Sequence, residues 1–297
     1  MRRSARVLAL LLLACACSTM ATAASPPVFD GAAALRHVER LVALGPRPAG
    51  SEASARARAY IIAELKKVGV TGHARPFQAR TPQGIVAMAN VVAVVKGRRP
   101  DVIMLAGHYD TKVFKDFRFV GANDGGSSTA LLIELARRLA ARPQEYTYWV
   151  VWFDGEEALE SWTERDSLYG SRHLAAELRR TSRLPRAMLL VDMIGDRDLV
   201  IRREATSTPW LTDIVWASAA RLGYGAHFHA DAMAVEDDHV PFLRAGVPAT
   251  LLIDFDYPPW HTAEDTVDKV SARSLAVVGE VLLDALPGVE HYLSRSR

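Results

Sequence analysis

The sequence predicts a single α/β domain with a mostly parallel central sheet and helices on both faces. Three observations predict it. Near-continuous apolar runs of strand length alternate with amphipathic stretches of helix length, the pattern of strands buried on both faces. No internal repeat or low-complexity linker divides the chain. With 49% hydrophobic content, its 297 residues can bury one large core without splitting into separate units.

The first residues stand apart from that alternation. MRRSARVLALLLLACACSTMATAAS has a basic start, an apolar run beginning at Val7 and a small-residue A-T-A before Ala24. It reads as an export signal cleaved near Ala23, and its apolar run is too short to span a bilayer core of roughly 30 Å. An alternative is lipid attachment at Cys15, where LLAC loosely resembles a lipobox. The expected boundaries are 1–24 for the signal and 25–297 for the folded domain, in the periplasm or secreted.

The folded domain opens with two helical patterns, AAALRHVERLVALG and SEASARARAYIIAELKKVG, the second starting at a Ser51 N-cap and both ending in glycine. Gly45-Pro46-Arg47-Pro48 punctuates the space between them. Two strands follow, at 70–79 and 85–95, with Pro82-Gln83-Gly84 between them as a hairpin turn. Strand, loop and helix then repeat. VIMLAG precedes the helix DGGSSTALLIELARRLA, YTYWVVWF precedes GSRHLAAELRR, AMLLV precedes WLTDIVWASAARLG, and PATLLI precedes the closing helix SARSLAVVGEVLLDAL. Ligands of such sheets sit at the carboxyl ends of the strands.

Composition narrows the chemistry. Both cysteines, Cys15 and Cys17, fall in the signal segment, so the mature chain offers no disulfide and no thiolate. Losing Arg2, Arg3 and Arg6 reduces the 36 basic residues to 33 against 34 acidic ones. That balance gives no reason to expect a nucleic-acid partner, and no membrane span is expected in the mature chain.

The strand ends carry one kind of side chain. VIMLAG runs into His108 and Asp110, the next helix starts at Asp124, and YTYWVVWF runs into Asp154, Glu156 and Glu157. AMLLV runs into Asp192, and PATLLI is followed by Trp260 and His261. A single Asp after a strand is usually a cap or turn former. Five such ends converging on carboxylate and imidazole would repel one another without a cation. Imidazole with carboxylates and no thiolate suits zinc, and a catalytic zinc takes three protein ligands; Asp124, Glu157 and His261 are the expected three.

GHYDTK, GANDGG, FDGEEA, LLVDMIG and WHTAEDT resemble the superfamily of zinc aminopeptidases and glutaminyl cyclases, from about residue 30 to the C-terminal helix. FDGEEALESWTERDSLYGSRHLA, EDDHVPFLRAGVP and PPWHTAEDT resemble its animal-type glutaminyl-peptide cyclotransferases. The resemblance implies that Glu156 shuttles protons while Glu157 binds zinc with Asp124 and His261. It also implies that Asp192 and Asp237 form a hydrogen-bonded acidic network beside the shuttle, and that Trp162 and Trp260 border the pocket. Adjacent residues on a turn need not point the same way, so one carboxylate of the pair can hold metal while the other faces substrate. The aminopeptidases of the superfamily run quickly from this pair into Gly-Ser, whereas here 158–169 intervene before Gly170-Ser171. That insertion places an aromatic, Trp162, beside the metal.

Departures from the animal pattern are specific. Glu236 stands where those enzymes carry glutamine, their cysteine pair is absent, and DFDYPP aligns poorly, leaving Tyr257 or Phe255 to supply a pocket aromatic. His239 is expected to support the acidic network, and His227 and His229 to lie on the surface or in a sheet. The resemblance implies a zinc-dependent enzyme that converts N-terminal glutamine of peptides or proteins to pyroglutamate and ammonia; a monomer is expected. The alternative is an exported aminopeptidase with two zinc ions sharing Asp124, the second completed by His108 and Asp192.

Overall fold

The computed structural model describes residues 29–296. The signal segment, its cleavage site, Cys15 and Cys17 lie outside the described residues. Helix α1 (Gly31–Ala43) is capped by Asp30, which accepts from the amide of Ala33. Helix α2 (Glu52–Lys67) is capped as expected by Ser51, whose Oγ accepts from Ser54 N at 3.0 Å. The hairpin also forms as expected from β1 (Gly72–Thr81) and β2 (Gly84–Val95), although β1 lies about two residues further along than its sequence pattern placed it.

The alternating part contains β3 (Val102–His108), α3 (Gly126–Ala140), β4 (Thr147–Phe153), α4 (Tyr169–Arg180) and β5 (Ala187–Asp192). It continues through β6 (Ile201–Glu204), α5 (Pro209–Arg221), β7 (Phe228–Met233), α6 (His239–Arg244), β8 (Ala249–Ile253) and α7 (Ala272–Arg295). The main sheet has the order β1-β2-β4-β3-β5-β8; the last four are parallel and the first two join antiparallel at one edge. This is the mostly parallel sheet that the sequence predicts. The sequence gives no sign of the small parallel ribbon β6–β7 or of the six-residue α6, because none of these contains a sustained apolar run. Helix α3 begins two residues after Asp124, with Gly125 as its N-cap.

Alternation along β3 shows how both faces are buried. Ile103 and Leu105 join the larger core with α1, α3 and α7, while Met104 and Ala106 join a second core with Leu174 and Leu178 of α4 and Phe242 of α6. Strands β3, β5 and β8 therefore end in a layer shielded on each side, and the residues that follow them inherit that shielding. No helix among the described residues is long and apolar enough to cross a membrane.

A buried cation fixes one of the long loops at this end. Arg47, fully buried, donates from its guanidinium to the carbonyls of Tyr109 at 3.1 Å, Val120 at 2.7 Å and Gly121 at 3.0 Å, with longer bonds to Leu41 and Gly45. Burial pushes the guanidinium down to about 10, against the opposing pull of Asp265, Asp110 and Asp124, so it stays charged at neutral pH. The proline-flanked arginine that reads as punctuation in the sequence is thus a clamp between the end of α1 and the β3–α3 loop. Arg47→Met would strand these carbonyls in the interior, at a cost of about 3 kcal/mol or more. Urea unfolding is expected to show the lowered midpoint, and an unchanged midpoint would refute the clamp.

Candidate active site

The parallel strands deliver their C-terminal residues to one place. His108 ends β3, Asp192 ends β5, Glu156 and Glu157 follow β4 by a short turn, and His261 follows β8. Asp124 precedes α3, and Asp237 precedes α6. The turn after β4 needs Gly155, whose φ is +69°; a Cβ there would meet Met88 Sδ at 2.7 Å. Gly125, at φ +75°, lets the backbone pass where a Cβ would lie 2.5 Å from the Asp110 carbonyl oxygen. His261 itself is held at φ +55° and Met193, next to Asp192, at +46°, conformations that non-glycine residues rarely adopt and that gather at functional sites.

Two triads share Asp124. His261 Nε2 lies 3.1 Å from Glu157 Oε1 and 3.3 Å from Asp124 Oδ2. His108 Nε2 lies 3.0 Å from Asp192 Oδ1 and 3.2 Å from Asp124 Oδ1. In each triad one atom from each residue lies within 4.8 Å of the others, a separation suited to a shared ion. The expected ligands Asp124, Glu157 and His261 are thus brought together, and so are the alternative second set His108, Asp124 and Asp192.

These residues fit a divalent ion chemically. Glu157 Oε2 is buried without a hydrogen bond, its nearest cation being Lys112 Nζ at 3.6 Å. With protein groups alone, the imidazoles supply the missing positive charge. Burial opposes protonation of His261, but Asp124 and Glu157 outweigh it and push it up to about 9. Burial likewise opposes protonation of His108, and Asp192, Asp110 and Asp124 together raise it well above the ordinary range. Asp124 is drawn far down despite its burial by the two imidazoles. A bound cation would take the place of those protons, the usual linkage between metal affinity and ligand deprotonation.

Two further carboxylates fix the ligand backbones. Asp110 accepts from Glu156 N at 3.1 Å and Glu157 N at 3.2 Å. Asp265 accepts from Asn123 N at 2.8 Å and Asp124 N at 3.1 Å. The ring of His261 is set by aromatic neighbours: Trp260 stacks on it at 4.3 Å, and Phe114 and Phe119 present edges at 5.5 and 5.8 Å.

Glu156 lies beside the metal triad. Burial, then the nearby charges of Glu157, Asp237 and Asp238, raise its affinity for a proton well above that of an ordinary glutamate, while His108 pulls the other way. Burial and Asp192 push Asp237 up to about 7. The three acids Glu156, Asp192 and Asp237 line one cavity, yet no hydrogen bond joins their carboxyl groups among the described residues. Asp192 instead accepts from Met193 N and bonds His108. Asp154 turns away, to Ser54, Ala89 N and Arg58.

The cavity holds about 400 Å³, and both Trp162 and Trp260 line it. The insertion that presents Trp162 is firmly built: Asp166 accepts from the amides of Leu159, Glu160 and Ser161, each at 2.9 Å, and from Tyr169 Oη at 2.8 Å. The insertion closes on the catalytic turn through Leu168 N to Glu156 O at 2.8 Å and Tyr169 N to Gly155 O at 2.7 Å. Besides the acidic network, whose carboxyl groups are not hydrogen-bonded to one another, two further expectations need correction. Tyr257 does not line the cavity; it is buried, donating to Asp265 Oδ1 at 2.8 Å, and Phe255, packed on Trp260, takes the wall position. His239 turns away from the acids and bonds Glu204 Oε2 at 3.0 Å. Both lie in short segments whose sequence carries no periodicity to orient them, as do Asp238, Asp265, Phe114 and Phe119, whose part in the site no local pattern marks.

Comparison with known proteins follows the same lines. Peptidase family M28 matches residues 90–286. The glutaminyl-peptide cyclotransferase of Bos taurus is 28% identical over 78% of this chain and 75% of its own. A crystal structure of an Acidobacteriales bacterium glutaminyl cyclase superposes with a TM-score of 0.85 at 44% identity, over 90% of this chain and 97% of that one. The fold alone is also shared with a leucine aminopeptidase precursor from Bacteroides thetaiotaomicron, with a TM-score of 0.81 at 24% identity over 88% and 98% of the chains.

His261→Ala is expected to strip zinc from the protein while the circular dichroism of the sheet and helices is retained, because the residue sits on a loop beyond β8. Full zinc content by elemental analysis would show that the triad is not the binding site.

Proposed function

The chain belongs to peptidase family M28, a zinc-dependent family, and we propose that it is a zinc-dependent glutaminyl-peptide cyclotransferase, converting N-terminal glutamine of peptides or proteins to pyroglutamate with release of ammonia. The supporting relatives are the cyclotransferases and glutaminyl cyclases that it resembles over most of its length. The observation that carries the reading is the insertion at 158–169, which bonds back onto the Glu156 turn and walls the cavity over it with an aromatic.

In this reading Asp124, Glu157 and His261 would hold one zinc ion, whose chemistry there would be that of a Lewis acid toward the γ-carbonyl of the glutamine. Trp162, Trp260 and Phe255 confine the substrate's first residue so that its α-amine faces that carbonyl carbon. The amine nitrogen bonds to the carbon, the carbon–nitrogen bond of the side-chain amide breaks, and the departing nitrogen leaves as ammonia. Glu156 takes a proton from the attacking amine and returns one to the leaving nitrogen. Burial and the charges of Glu157, Asp237 and Asp238 keep its proton affinity high, Asp192 in turn raises that of Asp237, and the group titrates as a unit. We further propose that residues 1–24 direct export to the periplasm or the medium and that 25–297 act there as a monomer.

A two-zinc aminopeptidase is the second reading, favoured by His108 and Asp192 standing ready on the far side of Asp124.

Incubating purified mature protein with Gln-initiated and Leu-initiated peptides decides between them. The cyclase loses ammonia from the first and leaves the second intact; stepwise release of Leu with no change at Gln would overturn the proposal. The attacking α-amine has an ordinary pKa of about 7.7 to 8.0 and reacts only when neutral, so kcat/KM is expected to rise toward roughly pH 8. Glu156→Gln is expected to keep zinc and lose about a hundredfold or more in turnover. Glu157→Gln is expected to lose zinc, and the reverse pair of phenotypes would exchange the two roles.

A further inference from the structure

The cavity carries charge that the proposed chemistry does not use. On its floor every ionic group has a task, and Lys112 is occupied by Glu157 at 3.6 Å and the Ala158 carbonyl at 3.3 Å. Toward its mouth two further carboxylates line the wall, Glu160 on the insertion and Glu236 on the segment between β7 and α6, both solvent-exposed. The backbone of Glu160 is fixed by Asp166, and its side chain has no ion-pair partner among the described residues. Glu236 has one cation, Arg244 Nη2 at 3.4 Å, which is 59% exposed and shared with Glu164 at 3.6 Å. The mouth is therefore negative, and most strongly so at Glu160.

A peptide with its N-terminal glutamine over Glu156 must leave through that mouth. An extended chain advances about 3.5 Å per residue, so the side chains directly after the glutamine pass the two carboxylates. We propose that Glu160 and Glu236 select substrates with basic residues immediately after the glutamine and disfavour acidic ones. The inference rests on the cyclase reading and adds the class of peptide to it. Partly exposed charge pairs contribute about two- to fivefold each, and salt screens them. Arg244 competes with the substrate for Glu236, so Glu160 is the stronger selector.

The test is a competition between Gln-Arg-Ala-Ala and Gln-Glu-Ala-Ala amides in one tube, read by mass. Their ratio of kcat/KM does not depend on how much of a preparation is folded. At low ionic strength the ratio is expected to favour the Arg peptide by on the order of tenfold, and to shrink in about 0.5 M salt. Glu160→Gln is expected to lower the ratio by about two- to fivefold and Glu236→Gln by less, whereas Arg244→Gln is expected to raise it. A ratio near one, or a ratio unmoved by the Glu160→Gln, Glu236→Gln double variant, overturns the proposal. If Gln-Ala-Ala-Ala amide also releases no ammonia, the cyclase reading is what has failed. Charge selection is then read from tryptophan fluorescence titrations with the same two peptides, where equal Kd values overturn it.

Discussion

Asp124 stands 3.2 Å from one imidazole and 3.3 Å from another, and much of the site is arranged so that this buried carboxylate keeps its charge. A lone carboxylate at such depth would take up a proton. Here His108 and His261 hold it ionised from either side, and each imidazole is anchored by a second acid, Asp192 or Glu157. The same economy is applied to the backbone. Asp110 and Asp265 each grip two consecutive amides, so the loops carrying Glu156, Glu157 and Asp124 are held by charge-assisted bonds. Arg47 adds a fully buried cation beneath them.

The parallel layout of β3, β4, β5 and β8 makes that crowding possible. Shielding on both faces lowers the local dielectric, which strengthens each attraction and each repulsion. The acids nearest the metal triad consequently divide by environment. Asp124, between imidazoles, is drawn down, while burial and the facing carboxylates of Glu157, Asp237 and Asp238 raise the proton affinity of Glu156. Ligand and proton carrier thus arise from the same side-chain chemistry a few ångströms apart.

How much of this was legible in the sequence depended on periodicity. The strands announce themselves as apolar runs, and His108, Glu156, Glu157 and Asp192 stand at or just after their ends, whereas Asp124 and His261, further along the loops beyond β3 and β8, are marked by the motifs that hold them. The residues that hold those groups in place are not. Arg47 looks like part of a proline turn, because nothing local shows that its guanidinium meets carbonyls some sixty to seventy positions later. Asp265 lies close to His261 in sequence, but its grip on Asn123 and Asp124 is a tertiary contact. Tyr257 and Phe255 are two residues apart in an irregular segment, where neither a helical nor a strand repeat says which one turns inward. His239 was drawn to Glu204 by a short strand that carries no apolar signature.

The insertion at 158–169 is sewn to the turn it overhangs: two amides near its end bond to the carbonyls of Glu156 and Gly155. The aromatic wall and the proton carrier are therefore one structural module with its seams at Gly155 and Tyr169. Exchange of this wall between related proteins, by recombination or by grafting, has to carry the Glu156 turn along with it. A graft cut inside those seams would bring a new pocket lining on a turn whose closing bonds no longer match, so divergence in substrate choice and in proton transfer is constrained to occur together.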